Sequence, residues 1–204
     1  MTPISPDDLR RQFAFLAELE KLKSVMRQST LVDLSGKENS AEHSWHLAMF
    51  ALVFAPYATG LDTLRAVKML LLHDIVEIDA GDVPFHLALK DLERIARIEA
   101  EAAERIFGLL PEPQADEMRD LWLEFEAGDT LEARFARALD RLQPVLLNML
   151  TDGGTWNDFA VTEEEVLGRC GPPIERGAPE LWPATRDLIR AHFASRKAEA
   201  GSYT

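Results

Sequence analysis

A chain of 204 residues can bury a sizeable core in one domain and is short for two independent ones. Its 35 Asp and Glu against 22 Lys and Arg give a formal net charge of −13, which argues against a nucleic-acid backbone or an anionic membrane surface as partner. A hydrophobic fraction of 47% excludes a disordered acidic tail. Cys170 is the single cysteine, so an internal disulfide and a cysteine-based zinc site are ruled out, and a soluble, cytoplasmic protein is expected. Asp7 and Asp8 stand where a secretory signal needs basic residues, and the apolar runs at 47–55 and 69–72 fall far short of the ~20 residues of a membrane helix.

Ser5-Pro6-Asp7-Asp8 reads as an N-cap, a proline at the first helical position and acids in the first turn, opening a helix to about Arg27. Its apolar residues Leu9, Phe13, Leu16, Leu19, Leu22 and Met26 recur at helical spacing. A polar loop over 31–37 precedes a second helix capped by Ser40 and running to about Tyr57. A third starts at Asp62 or Thr63 and ends near Gly81. Residues 87–107 form a charged amphipathic helix stopped by Gly108, and 113–127 a fifth helix ending at Gly128. Asp129 and Glu132 stand at capping-box spacing before a sixth helix of 130–150. Thr162 and Glu165 repeat that spacing for a short helix, and 179–196 is a last amphipathic one. Alternating strand patterns are absent, so the expected fold class is all-α: one domain over 1–204, with a core of about 12–150, a helical extension over 151–196 and a flexible tail over 197–204.

Three clusters carry possible chemistry. In 66–77 an apolar turn, Met69 to Leu72, is followed by His73, Asp74 and Glu77, and buried charges are costly unless paired or bound to a metal. Glu77 can lie beside both His73 and Asp74, but those two stand about 100° apart around a helix, so periodicity alone does not bring them to one ion. An ordinary hydrogen-bonded cluster near a helix end explains the triad equally well. His43 and His46, three apart, face the same way and offer a metal-binding pair, although a lone histidine is more often structural. Asp140 lies where Pro144 leaves a carbonyl without its helical donor, so a kink is expected there, and a surface salt bridge with Arg137 or Arg141 is its plainer explanation.

Together these residues resemble a known family. His43, then His73-Asp74, then Asp140, on successive helices, are similar to the H…HD…D signature of HD-domain metal-dependent phosphohydrolases. The blocks Glu42-His43-Ser44, His73-Asp74-Ile75-Val76-Glu77, Gly81-Asp82-Val83-Pro84, 121–126 and 132–140 resemble the branch of 5′-deoxynucleotidases similar to HD-domain-containing protein 2, over about 12–150. The resemblance implies one divalent metal, Mn, Co, Ni, Fe or Zn, held by His43, His73, Asp74 and Asp140. It implies that Glu77 orients or deprotonates the attacking water, that Asp82 acts beside it in positioning the nucleotide, and that Arg27 meets the substrate phosphate or sugar. The implied reaction is release of the 5′-phosphate of a nucleoside monophosphate. One departure concerns the sugar: bacterial 5′-deoxynucleotidases carry a tryptophan, associated with sugar discrimination, where this chain has Gln28.

Related activities lack their marks. Alarmone hydrolases follow the HD pair with Glu-Asp where this chain has Glu77-Ile78, and the Gly-Tyr-Pro block of cyclic-dinucleotide phosphodiesterases is absent. Two alternatives stay open, another small phosphorylated metabolite as substrate and a non-catalytic helical dimerisation module. His46 and His86 are read as structural or surface residues, Glu124 and Glu126 as solvated helix charges with an approach to the site as the alternative, Lys37 and Lys90 as minor candidates for phosphate binding, and Trp156 as packed inward from a surface loop. The apolar stripes of 87–107 and 179–196 serve either core or subunit packing, and the resemblance implies a homodimer.

Overall fold

The computed structural model describes residues 5–82 and 92–201. His86, Leu89, Lys90 and the start of the helix expected from residue 87 lie outside them. Helix α1 spans Pro6–Leu19, with Ser5 Oγ accepting from the Asp7 amide, and stops well before Arg27. A 3₁₀ turn over Glu20–Ser24 leads into a two-stranded antiparallel ribbon, β1 (Met26–Thr30) and β2 (Lys37–Asn39). The ribbon corrects the expectation of a strandless chain, and Arg27 sits on a strand rather than a helix. Five and three residues are too few for alternation to register as a pattern. The apolar positions of α1 also divide unexpectedly: Leu9, Phe13 and Leu16 are exposed, whereas Phe15 and Leu22 are buried.

Helix α2 (Ser40–Phe54) is capped by Asn39 rather than Ser40, in a reciprocal capping box with Glu42. Helix α3 (Thr63–Leu72) is capped by Asp62 and ends at His73, short of the expected Gly81; after a turn the single-turn α4 follows (Glu77–Ala80). Helix α5 covers Leu92–Phe107 and α6 Gln114–Ala127, the latter ended by Gly128 in the left-handed region at φ +65°. Helix α7 (Leu131–Leu150) starts from a Thr130 cap and runs through Pro144. The short α8 (Gly154–Asp158) is followed by α9 (Glu163–Gly177), opened by the expected box of Thr162 and Glu165 but reaching fifteen residues through Pro172 and Pro173. Helix α10 (Trp182–Gly201) continues into the first residues of the expected tail. The fold is all-α, and no helix among the described residues is long and apolar enough to cross a membrane.

Helix α7 is the spine. One side packs with α2, α3 and α6 on the main core, where Leu47, Met69, Leu70, Phe135 and Leu139 are fully buried. Its C-terminal half joins a smaller core through Val145, with Trp156, Val166 and Ile189. Helix α9 lies close along α7 because position 177 is glycine: a Cβ there would stand 1.9 Å from the Arg134 carbonyl oxygen. A single rigid helix therefore links the HD-like residues to the C-terminal segment.

Candidate active site

Three elements converge beside the middle of α7. The first turn of α2 brings His43, the end of α3 brings His73 and Asp74, and α7 brings Asp140. The α3 ladder gives way at His73 to tighter turns, Ile75 N–H to the Leu72 carbonyl and Glu77 N–H to the Asp74 carbonyl. At this break the adjacent His73 and Asp74 both meet the cluster, which a continuous helix does not dictate. His43 Nε2 lies 3.1 Å from Asp140 Oδ1, and His73 Nε2 lies 3.8 Å from the same oxygen. Asp74 Oδ1 stands 3.0 Å from His73 Nε2, and its Oδ2 3.9 Å from His43 Nε2.

Hydrogen bonding settles which ring nitrogens face inward. Gln143 Nε2 donates to Glu38 Oε1 at 2.7 Å, so its Oε1 must be the atom facing His43 Nδ1 at 3.1 Å, and Nδ1 must donate. His73 Nδ1 likewise donates to the Leu70 carbonyl at 2.9 Å. Both Nε2 atoms thereby face Asp140, the arrangement of metal-binding imidazoles held by an outer partner. The ligand atoms of His43, His73 and Asp140 lie within 4.8 Å of one another, and buried His73 Nε2 has no hydrogen-bond partner. Two imidazoles with carboxylates suit a divalent transition cation, so the donor set fits one.

The cavity favours positive charge. Burial opposes the ionised form of Asp74, but His73 and Arg27 overcome it and bring its pKa down to about 2. Burial also opposes a charged His73, and the neighbouring Asp74 and Asp140 outweigh it, raising the imidazole to about 10. Asp140 is held well below the usual range, its burial more than offset by His43 and His73. Arg27 reaches in from β1, donates to Asp74 Oδ2 at 2.8 Å and lies 3.9 Å from Glu77 Oε1. Its burial is outweighed by the carboxylates around it, which hold its pKa above the ordinary value. Burial and then the Asp74 charge push Glu77 up to about 8, although Ser40 Oγ donates to its Oε2 at 2.6 Å. Asp82 is raised by burial and faces the same cleft.

With this geometry in view, the relationships of the chain are informative. A profile of the family described as HD domain matches residues 19–182. The chain belongs to the HD-domain family. It is 46% identical to a solved structure from Magnetospirillum magnetotacticum MS-1, described as a predicted metal-dependent phosphohydrolase, with a TM-score of 0.85 over 91% of this chain and 95% of that one. It is 30% identical to the human (Homo sapiens) protein named 5′-deoxynucleotidase HDDC2 over 138 residues, 67% of this chain and 66% of the relative, slightly under two thirds of that protein's length. A protein from Pyrococcus horikoshii OT3, at 21% identity and a TM-score of 0.66, shares the fold.

In this HD domain the remaining candidates fall into place differently. His46 does not pair with His43; its Nδ1 meets Gln143 Nε2 at 3.2 Å and its ring meets Phe50 edge-on, one layer outside the cluster. Arg137 does not pair with Asp140 but donates to the Phe125 and Glu126 carbonyls at the end of α6. Lys37 is a clasp: Nζ donates to the Gln28 carbonyl at 2.8 Å and to Thr30 Oγ1 at 3.1 Å, and lies 3.4 Å from Asp158, tying the ribbon to α8. Glu124 pairs with Arg65, as a surface charge does. Glu126 is exposed, as a helix charge is; with Glu99 it also edges a cavity of about 410 Å³ that touches His73, and partial desolvation raises both carboxyls, Glu99 to about 7.

Sequence reasoning also missed Glu38, Gln143 and Ser40 as the groups that orient His43 and Glu77. Glu38 is 3% exposed despite its charge. A carboxylate two residues ahead of a histidine-bearing helix was the available signal, although the strand that holds it was not foreseen. The larger omission is the cleft itself, about 570 Å³, which runs from Asp74, Asp140 and Arg27 past Pro144 to Trp156, Phe159 and Val166. The stretch around Trp156, read as a surface loop, and the helix after it, to which no role was given, form its far wall.

Proposed function

We propose that this HD-domain protein is a metal-dependent phosphohydrolase that removes the 5′-phosphate of (deoxy)nucleoside monophosphates. The observation that carries the reading is the convergence of two imidazole Nε2 atoms on Asp140, with Glu77 and Arg27 on the wall of the same cleft. His43, His73, Asp74 and Asp140 would hold one divalent cation, Mn, Co, Ni, Fe or Zn. Bound there, the cation supplies a Lewis acid for a phosphoryl oxygen and lowers the pKa of water. Arg27, held against Asp74, meets the phosphate with a guanidinium that stays charged at all working pH values. Ser40 fixes one oxygen of Glu77 and leaves the other to take the proton of the attacking water. Asp82 orients the sugar. Phosphoryl transfer asks mainly for such positioning and charge stabilisation: the new O–P bond forms as the bond to the 5′-oxygen breaks, and the proton taken from the water is returned to that oxygen, releasing inorganic phosphate and a nucleoside.

The 5′-deoxynucleotidase name of the human relative and the phosphohydrolase description of the Magnetospirillum structure support this reading. The test is phosphate release from paired ribo- and deoxyribonucleoside monophosphates with each candidate metal. Turnover of at least one pair is expected. Absence of turnover with every metal overturns the reading and leaves a non-catalytic helical module.

We further propose a homodimer. Ile106 of the expected α5 stripe is buried in the core, but α2 presents Trp45, Met49, Leu52 and Val53 on one exposed face at helical spacing. Light scattering on wild type and Val53→Glu tests it, the variant being expected to run at half the mass. A cytoplasmic location is proposed on the free thiol of Cys170, which burial pushes up to about 11.

A further inference from the structure

Helix α7 works as a ruler along the cleft. Asp140, Pro144 and Asn148 are spaced four apart on one face, and all three line the cavity. At 1.5 Å per residue they mark ~6 and ~12 Å from the carboxylate cluster. That is the reach of a nucleotide laid with its phosphate at Asp140. Over this distance the lining changes character, from Arg27, Asp74 and Glu77 at one end to Trp156, Phe159, Val161 and Val166 at the other.

The apolar end is built rather than incidental. Trp156 is buried, stacked on Phe193 of α10 at 5.3 Å between ring centroids and edge-on to His192 at 5.4 Å. Its amide and the Thr155 hydroxyl both donate to Asn148 Oδ1, at 3.3 and 2.8 Å, while Asn148 Nδ2 donates to the Pro144 carbonyl at 2.8 Å. The chain then turns back, with Val161 N–H on the Trp156 carbonyl at 2.8 Å and Ala160 at φ +51°. Phe159 is left at the mouth, 47% exposed. Asn148 and Thr155 thus spend their hydrogen bonds on the wall itself, and at its α9 edge Glu165 accepts from Thr162 and lies 3.6 Å from Arg169, so the polar side chains that line this end are engaged with neighbours beside its aromatic and aliphatic surface.

We propose that α8, the turn after it and the first turns of α9 form the nucleobase subsite, with Phe159 and Trp156 as its aromatic surfaces. This rests on the nucleotidase reading above. A base has two apolar faces and a hydrogen-bonding edge; this wall offers aromatic partners to the faces, while its charged side chains Glu165 and Arg169 are paired with neighbours. Stacking on aromatic side chains is tolerant of base identity because every base presents a π-face. The subsite therefore retains the nucleoside and discriminates little between purine and pyrimidine, and the C-terminal segment sets affinity while the HD residues set chemistry.

The experiment compares a nucleotide with its base-free counterpart. Phosphate release from deoxyadenosine monophosphate, deoxycytidine monophosphate and 2-deoxyribose 5-phosphate is measured on the metal-loaded wild type and on Phe159→Ala and Phe159→Tyr. Phe159 is half exposed, so neither change threatens the fold. The wild type is expected to favour both nucleotides over the sugar phosphate in kcat/KM, and the two nucleotides to agree within about tenfold. Phe159→Ala is expected to raise KM for the nucleotides about tenfold, the scale of one lost stacking contact. Its kcat and its rate on the sugar phosphate should not change, and Phe159→Tyr should restore the nucleotide KM. Equal loss on all three compounds, an unchanged nucleotide KM, or a preference between the bases beyond about a hundredfold overturns the subsite while leaving the nucleotidase reading intact. Phosphate release from none of the three with any metal overturns both.

Discussion

The two ends of the cleft obey different physics. At the charged end, His43, His73, Asp74, Asp140, Glu77 and Arg27 are all largely buried, and each needs a specific partner at a specific atom. At the apolar end, Pro144, Val161, Val166 and Phe159 need only volume and shape. Burying a charge is so costly that few residue types and few arrangements survive, whereas an apolar wall can be built in many ways. The first kind of site writes itself into a sequence as motifs, and the second does not.

Substitutions can break this contrast, beginning with the largest effect. Asp140→Ala removes the oxygen on which both Nε2 atoms converge, and is expected to cost more metal affinity than the ~10–100-fold typical of an outer partner, with turnover lost as well. Elemental analysis beside a phosphate assay checks it, and retained metal would remove Asp140 from the proposed ligand set. Glu77→Gln keeps the shape and can still accept the Ser40 hydroxyl but cannot take a proton. It should lower kcat by roughly 10²–10⁴-fold with bound metal unchanged, and wild-type turnover would end the assignment of Glu77 as base.

Changes at the other end should act through stability and affinity. Gly177→Ala drives a methyl group into the Arg134 carbonyl and separates α9 from α7. Overpacking of this kind costs about 1–3 kcal/mol, so a fall in Tm of roughly 2–12 °C is expected in calorimetry, with KM rising more than kcat falls. An unaltered Tm would show that the close approach does not hold the wall. Lys37→Met opens the exposed clasp between ribbon and α8, and pairs of this exposure contribute about 0–1 kcal/mol. A KM increase of only about two- to threefold is therefore expected in steady-state assays.

The helical content and most boundaries were legible because caps and periodicity are local: Ser5, Asp62, Gly128 and the Thr162–Glu165 box act where their sequence context puts them. The ribbon at 26–39 was not, since such short strands exist only because each pairs with the other. Leu9, Phe13 and Leu16 show the limit of periodicity: they recur at helical spacing yet face outward, while Phe15 is the residue buried. In the site, Arg27, Asp74, Glu77, Asp82 and Asp140 line one cleft and His43 and His73 meet Asp140 behind it, but His43 and His46 could not be told apart by spacing. Only the position of Gln143, a hundred residues away, makes His43 the inner imidazole and His46 the outer one.

What the sequence determined by itself was the class of fold and the identity of the chemically costly groups, because helix signals are short-ranged and buried charges tolerate few substitutes. What the tertiary structure alone decided was convergence and reach. The break of α3 at His73 brings adjacent side chains to one cluster, the Gln143 amide sets the tautomer of His43, and α7 carries the cleft from Asp140 to a C-terminal wall. Each of these depends on contacts between residues distant in the chain, and such contacts leave no period, cap or motif to read.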